Sequence, residues 1–204
     1  EVKKMKQNYF AKVIKVLKSF LNWAIEKGYN TNREFEKFKA AEHDIDIVFL
    51  TFEELMNLYN YQFESDRLSQ ARDFYCMGCF TGLRFSDLSK LHLANISEDH
   101  IVLSIQKTKT QNHAIKLNKY AKAILEKYKG TIYEPLPIIS SQKFNEYIKE
   151  CCELVEINQL FTIHWFVGNK KKSLTQPKYK FITSHTARKT FITNSLLLGM
   201  EPKA

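Results

Sequence analysis

The amino-acid sequence predicts a mainly α-helical protein with a small antiparallel sheet, which places it in the α+β class. Three observations lead to this prediction. Long stretches repeat apolar residues at helical spacing, two short runs near the middle have the character of strands, and glycines and prolines separate these segments. With 204 residues, 44% of them hydrophobic, the chain can bury one sizeable core with a smaller appendage.

The N-terminal region is predicted to form helices followed by a linker. In residues 7–27 the apolar side chains recur at helical spacing, and Gly28 ends the pattern. A shorter helical piece is expected at 32–39, and the polar residues 40–46 read as a linker. Two helices are too few for an independent domain, so they either pack on the region after the linker or are the remnant of a larger helical domain.

After the linker, the sequence predicts three helical segments in succession. Thr51 is a good N-cap, and Glu54 stands at the capping-box position behind it. A second helix covers about residues 66–80. Gly82 then breaks the helix, and residues 84–91 resume the helical spacing.

The spacing of apolar residues then changes from helical to strand-like. Residues 100–106 and 114–117 are short strand patterns, joined by a polar and basic turn at 107–112. Helical spacing returns at 119–129 and at 141–157, with two prolines between these segments.

Two further elements complete the predicted fold. Residues 160–167 and 179–182 are expected to pair as a second small sheet around the basic loop 168–172. Ser184 is then a good N-cap for a last helix, in which apolar residues between 191 and 198 fit a packed face.

The charge of the chain indicates a polyanionic partner. The net charge is +9 and the pI is near 9.3, so nucleic acid and an anionic membrane surface are both candidates. No apolar stretch is long enough to span a bilayer, and the start has no signal-peptide pattern. The lysines that are candidate contacts to DNA phosphates, with a solvated surface as the equal alternative, are Lys12, Lys15, Lys18, Lys170, Lys171 and Lys172.

The four cysteines do not favour a metal site. Cys76 and Cys79 have the spacing of half a zinc knuckle, but they lie in an apolar helical run, and Cys151 and Cys152 are adjacent. We therefore expect reduced, mostly buried thiols in a cytoplasmic protein, with no metal and no cofactor.

Two motifs each place an arginine where it could hold an anion. His185 and Arg188 are three residues apart in the first turn of the last predicted helix, where backbone N–H groups also face an anion. Arg84 opens an earlier helix after Gly82, with Asp87 one turn on. A capped helix and a helix-start ion pair are the plainer interpretations of these motifs when each is taken alone.

Lys107, in the basic turn between the two strand patterns, adds a third kind of cation. Two arginines can clamp the non-bridging oxygens of a five-coordinate phosphorus, and a lysine on a turn can protonate a leaving alkoxide. A histidine beside them can donate a hydrogen bond or move a proton. No carboxylate cluster of the kind that binds Mg²⁺ stands out, so a two-metal nuclease is not supported.

The order of these motifs resembles that of the tyrosine recombinase (phage integrase) family. The chain has Thr-Gly-Leu-Arg at 81–84 with Asp-Leu at 87–88, then Gln-Lys-Thr at 106–108, and His-Thr-Ala-Arg-Lys-Thr-Phe at 185–191. The resemblance covers residues 49–204. Within the family the chain looks most like integrases of bacterial conjugative and mobilisable elements.

The resemblance implies a role for each matching residue. Arg84 and Arg188 would hold the scissile phosphate, His185 is similar to the histidine of the family's His-x-x-Arg box, and Asp87 would support them. The implied partners are double-stranded DNA at specific recombination sites and further copies of the protein, which form a tetramer on DNA. The implied setting is the bacterial cytoplasm, with no membrane and no metal.

The resemblance also implies the general acid and the domain organisation. Lys107 matches the hairpin lysine that protonates the 5′-oxygen, and Lys109 is the second choice. Residues 1–42 resemble the last helices of the core-binding domain, which closes the clamp around the duplex. Residues 46–204 resemble the catalytic domain.

One departure from the family pattern concerns the nucleophile. The family places another His or Trp, and then a tyrosine, after the second arginine, whereas no tyrosine follows Arg188. We therefore expect a fragment that binds DNA without forming the 3′-phosphotyrosyl link. A non-catalytic DNA-binding protein on the same scaffold and a type IB topoisomerase relative are the alternatives.

Overall fold

A computed structural model describes residues 5–105, 110–168 and 170–201. This part of the chain combines α-helices with two small sheets, so the predicted α+β class is confirmed. The α-helices are α1 (Gln7–Glu26), α2 (Phe52–Asn60), α3 (Asp66–Thr81), α4 (Phe85–Leu88), α5 (Lys119–Tyr128), α6 (Ser141–Leu154) and α7 (Ser184–Leu197). The strands are β1 (Asn95–Ile96), β2 (His100–Ile105), β3 (Thr110–Lys116), β4 (Leu160–Val167) and β5 (Lys170–Pro177).

The chain divides into two compact units. Unit 1 combines Glu1–Asp46 with Phe161–Gln176, and unit 2 combines Ile47–Leu160 with Pro177–Ala204. The helix α1 and the two-stranded sheet β4–β5 belong to unit 1, apart from the first residue of β4 and the last of β5. No helix among the described residues is long and apolar enough to cross a membrane.

Unit 1 is held together by contacts between the N-terminal segment and β4. The ring of His43 stacks on Phe166 with centroids 3.8 Å apart. Asp46 accepts hydrogen bonds from the backbone N–H of His164 at 2.5 Å and from its Nδ1 at 3.0 Å. These hydrogen bonds lower the pKa of Asp46.

The helix predicted at 32–39 is reduced to a short 3₁₀ turn at Glu34–Lys37.

The predicted pairing of the second sheet is wrong in one strand. The partner of β4 is β5, whereas Lys178–Phe181 forms a 3₁₀ turn. Lys178 is buried and donates from Nζ to the Glu54 carboxylate at 2.6 Å, which ties this turn to α2. The basic residues 170–172, predicted as a loop, therefore lie in a strand.

The helix α3 is the centre of unit 2. Every residue from 71 to 81 is buried, because α2, α5, α6 and α7 all pack against this helix. Gly78 permits the close approach of α7, since a Cβ atom there would lie 3.0 Å from the Cβ of Ala187. The core of unit 2 therefore depends on a small residue where the two helices cross.

A buried charge on α3 is fully paired. Asp73 is 2% exposed and accepts hydrogen bonds from Arg72 Nε at 2.5 Å, Lys127 Nζ at 2.6 Å and the Tyr128 hydroxyl at 2.7 Å. The Arg72 guanidinium also donates to the Tyr61 carbonyl at 2.7 Å. Such a network links α3 to α5 and to the end of α2, and losing one partner would leave an uncompensated buried charge.

The other sheet in unit 2 has the strand order β1–β2–β3 and is antiparallel. Ile101 is fully buried and pairs with Ile115. The register shifts between Leu103, which pairs with His113, and Ile105, which pairs with Thr110, so β3 accommodates one more residue than β2. The bulge lies next to the segment that joins the two strands.

Several local predictions for unit 2 are confirmed. Thr51 and Glu54 form the capping box at the start of α2. All four cysteines are free and buried at α3 and α6. Burial raises the pKa of the Cys151 thiol to about 12.

Candidate active site

A glycine turn at the end of α3 positions the first candidate arginine. Gly82 has φ 69°, in the left-handed region, and its N–H donates to the Gly78 carbonyl at 2.9 Å. A Cβ atom at Gly82 would lie 2.5 Å from Cδ1 of Phe191, so only glycine fits. The turn leads directly to Arg84, the residue that precedes α4.

The first turn of α7 positions the second candidate arginine. The predicted N-cap is wrong by one residue, because Thr183 is the N-cap and Ser184 is the first helical residue. The Thr183 N–H donates to Thr186 Oγ1 at 3.0 Å, and the Ser184 N–H donates to Asn145 Oδ1 of α6 at 2.8 Å. These bonds fix the start of the helix that carries Arg188.

The fold attaches Arg188 to the turn that leads to Arg84, and these two residues are here called the arginine pair. The Arg188 guanidinium donates to the Gly82 carbonyl at 2.5 Å, which attaches it to the turn before Arg84. Partial burial and then the positive charge of Arg84 lower the pKa of Arg188, and the charge of Asp87 acts in the opposite direction. Two neighbouring guanidinium groups with five donors each can bind the oxygens of one tetrahedral anion.

Asp87 lies in the interior beside the arginine pair. Its side chain is 3% exposed, and neither carboxylate oxygen has a hydrogen-bond partner among the described residues. A direct ion pair with Arg84, the plainer interpretation of that motif, is not observed in the described structure. Asp87 instead acts on Arg188 through its charge.

A cavity of about 170 Å³ lies against this group. Its wall includes Gly82, Asp87 and Arg188, and strand β3 contributes His113 and Ile115. His113 was not predictable from the sequence, because a single histidine in a strand has no distinctive spacing. The one available signal was its place on the strand that follows the basic turn.

The remaining predicted active-site residues have different outcomes. His185 lies on α7 one turn before Arg188 and is exposed. Lys107 and Lys109 lie outside the described residues, so their predicted role stays a prediction. The strand β3 that follows them contributes to the wall of the cavity beside Arg188.

The candidate DNA-contacting lysines of α1 belong to unit 1. Lys12 is exposed. Lys15 forms an ion pair with Glu42 at 2.7 Å, and Lys18 donates to the Glu36 carbonyl at 2.9 Å. Both of these lysines therefore have a partner within unit 1.

The three lysines of β5 are also exposed. Because successive strand residues point to opposite faces, Lys170 and Lys172 share one face and Lys171 lies on the other. The charge of Lys171 reaches Asp46, whose pKa it helps to lower.

In the described ranges, no group of three or more His, Cys, Asp or Glu side chains is arranged to hold a metal ion. No family model matches the chain, and no curated protein matches it either.

Proposed function

We propose that this chain is part of a tyrosine-type site-specific DNA recombinase. The single observation that carries the proposal is that Arg188 lies at a cavity beside Asp87 and the hairpin strand β3, bound to the Gly82 turn that leads to Arg84. These residues come from three separate parts of the sequence. The net charge of +9 gives the protein a general attraction to a nucleic-acid backbone.

The arginine pair would hold the phosphate at which a DNA strand is cut. Its donors would stabilise the charge on the non-bridging oxygens as the phosphorus becomes five-coordinate. His185 would donate a further hydrogen bond to these oxygens. Asp87 would orient Arg188 through its charge.

The proposed reaction is a transfer of the phosphoryl group to a tyrosine. The tyrosine oxygen forms a bond to phosphorus while the bond to the 5′-oxygen breaks, and Lys107 gives a proton to that oxygen. Attack of a 5′-hydroxyl on the phosphotyrosine reverses the step and rejoins the DNA. The proposal leaves this tyrosine unassigned to a residue of the sequence.

The test is the trapping of a covalent protein–DNA adduct. Protein produced from its natural gene would be incubated with duplexes that carry its recognition sequence, first selected from a random library, and a nick that prevents religation. We expect an adduct that survives denaturation and is lost in Arg84→Ala and Arg188→Ala. The matched control is Arg67→Ala, which removes an exposed arginine that is paired with Glu150.

The same variants separate catalysis from binding. A recombinase in which Arg84 is replaced should keep most of its DNA affinity while it loses the adduct. A protein that binds DNA without chemistry would form no adduct even with the natural sequence, and that result would refute the proposal.

A further inference from the structure

We propose that His113 is a positioning residue for the arginine pair, and that it acts by supplying a hydrogen-bond donor to the buried Asp87 carboxylate. The inference rests on the proposed function, because it gives a strand residue of the hairpin a part in holding the phosphate. It concerns a residue that none of the sequence motifs includes.

The Asp87 carboxylate is buried and lacks a hydrogen-bond donor among the described residues. A buried carboxylate without hydrogen bonds is costly, and folded proteins nearly always provide it with donors. Both oxygens of Asp87 are buried, and neither has a hydrogen-bond partner among the described residues. Asp87 also forms part of the cavity wall, so the cavity is the side from which a donor would approach it.

Few side chains on the cavity wall have a hydrogen-bond donor to spare for Asp87. Arg188 uses one N–H on the Gly82 carbonyl, and the Thr81 hydroxyl donates to the Met77 carbonyl at 2.7 Å. His113 is the one other lining residue of the described structure whose side chain carries an N–H group. Its imidazole is therefore the natural donor from the side of β3.

The cavity that His113 and Asp87 both line leaves space for the imidazole to move. A cavity of about 170 Å³ has room for water, since a water molecule occupies about 30 Å³ in the liquid. His113 is exposed and makes no hydrogen bond to Asp87 in the described structure, so the proposed bond requires the imidazole to turn toward the carboxylate. The charged and titratable side chains that face Asp87 are Arg188 from α7 and His113 from β3, and Arg84 acts on the same region through its charge.

The consequence is a connection between the hairpin and the arginine pair. With its carboxylate fixed by His113, Asp87 holds Arg188 in one orientation, ready for an anion. Without that donor, Arg188 is drawn toward the unsatisfied carboxylate and is less available to the phosphate.

Two substitutions at one position separate this role from simple packing. His113→Phe keeps an aromatic ring but removes the N–H groups, whereas His113→Gln keeps an N–H donor. Each would be compared with Asp87→Asn and with the double variant Asp87→Asn/His113→Phe. Urea unfolding of the natural protein, His113→Phe, Asp87→Asn and the double variant gives the coupling between the two positions.

The second measurement is sulfate binding, because sulfate is tetrahedral and keeps its charge over the working pH range. The Nε–H resonance of Arg188, assigned with Arg188→Lys, reports the binding. We expect His113→Phe to weaken sulfate binding about tenfold, the size typical of a lost hydrogen bond to a charged group. His113→Gln should stay within about twofold of the natural protein, and His113→Phe should have no further effect in the Asp87→Asn background.

Three results would overturn the inference. They are an unchanged sulfate affinity in His113→Phe, an equal loss in the Asp87→Asn background, and no coupling in urea. If sulfate leaves the Arg188 resonance of the natural protein unchanged, the proposed function fails and the positioning role fails with it. Coupling in urea would then show that the His113–Asp87 contact serves stability alone.

Discussion

Replacing Gly82 by alanine tests how the arginine pair is held. The substitution forces a residue with a Cβ atom into φ 69°, which costs about 1–2 kcal/mol. The new Cβ also meets Cδ1 of Phe191 at 2.5 Å and Cε1 at 2.8 Å, and relieving such overpacking costs a further ~1–3 kcal/mol. We expect Gly82→Ala to lower the free energy of unfolding by about 2–5 kcal/mol.

The matched control is Gly130→Ala in the same unit. Gly130 has φ 71°, but nothing lies within 4 Å of a Cβ built there, so only the backbone cost applies. The two variants should therefore differ by about 1–3 kcal/mol, which is about 0.5–1.5 M in the urea midpoint for a slope of about 2 kcal/mol/M. Helical circular dichroism follows the transition mainly through unit 2, which contains six of the seven α-helices of the described structure.

Tryptophan fluorescence provides an internal control, because Trp23 and Trp165 both belong to unit 1. Phe191→Ala should remove most of the additional cost of Gly82→Ala by giving the new Cβ room. If Gly82→Ala is no more destabilising than Gly130→Ala, the close packing of the turn on α7 is refuted.

Three further predictions concern the rest of the described structure. Asp73→Asn should destabilise unit 2 by about 3–5 kcal/mol in urea unfolding, because it leaves the buried Arg72 guanidinium uncompensated, whereas Glu150→Gln in an exposed pair should cost at most about 1 kcal/mol. The four cysteines should resist N-ethylmaleimide in the native protein and all react in urea, because burial raises the pKa of each thiol; labelling of the native protein would contradict this. Asp46 should stabilise the protein above its unfolded pKa of about 3.9 and lose that contribution as pH falls through its lowered folded pKa. Asp46→Asn should thus destabilise the protein more at pH 7 than at pH 2, and an equal effect at both would rule out the His164 contact as its cause.

The elements that were predictable from sequence are those fixed by local chemistry. The Thr51–Glu54 capping box involves neighbours three residues apart, and the Gly82 turn needs a residue without a Cβ atom. Apolar spacing also located α3 and α6 to within a few residues. In each case the information lies within one or two turns of the chain.

The elements that were not predictable depend on distant partners. Strand β5 begins with three lysines and has no alternation, so its conformation follows from pairing with β4. Thr183 and Ser184 can both cap a helix, and the choice depends on a bond from Ser184 to Asn145 on α6. Tertiary contacts therefore decided between locally equivalent alternatives.

The candidate site also contains residues that the sequence predicts and residues that only the structure reveals. Arg84 and Arg188 stand in recognisable motifs, and Arg188 bonds to the turn that leads to Arg84. The burial of Asp87 and the position of His113 on the cavity wall depend on which segments line that cavity, and this leaves no pattern in the sequence.

The claim that Arg84 and Arg188 hold one phosphate is tested most directly by the salt dependence of DNA binding. Each phosphate neutralised contributes about 0.9 to the slope of log K against log salt concentration. The Arg84→Ala/Arg188→Ala variant should therefore lose about 0.9 from the slope, while Arg67→Ala leaves it unchanged. A loss of about 1.8 would mean two separate phosphates, and no loss would mean that neither arginine binds DNA; either result would contradict a shared site.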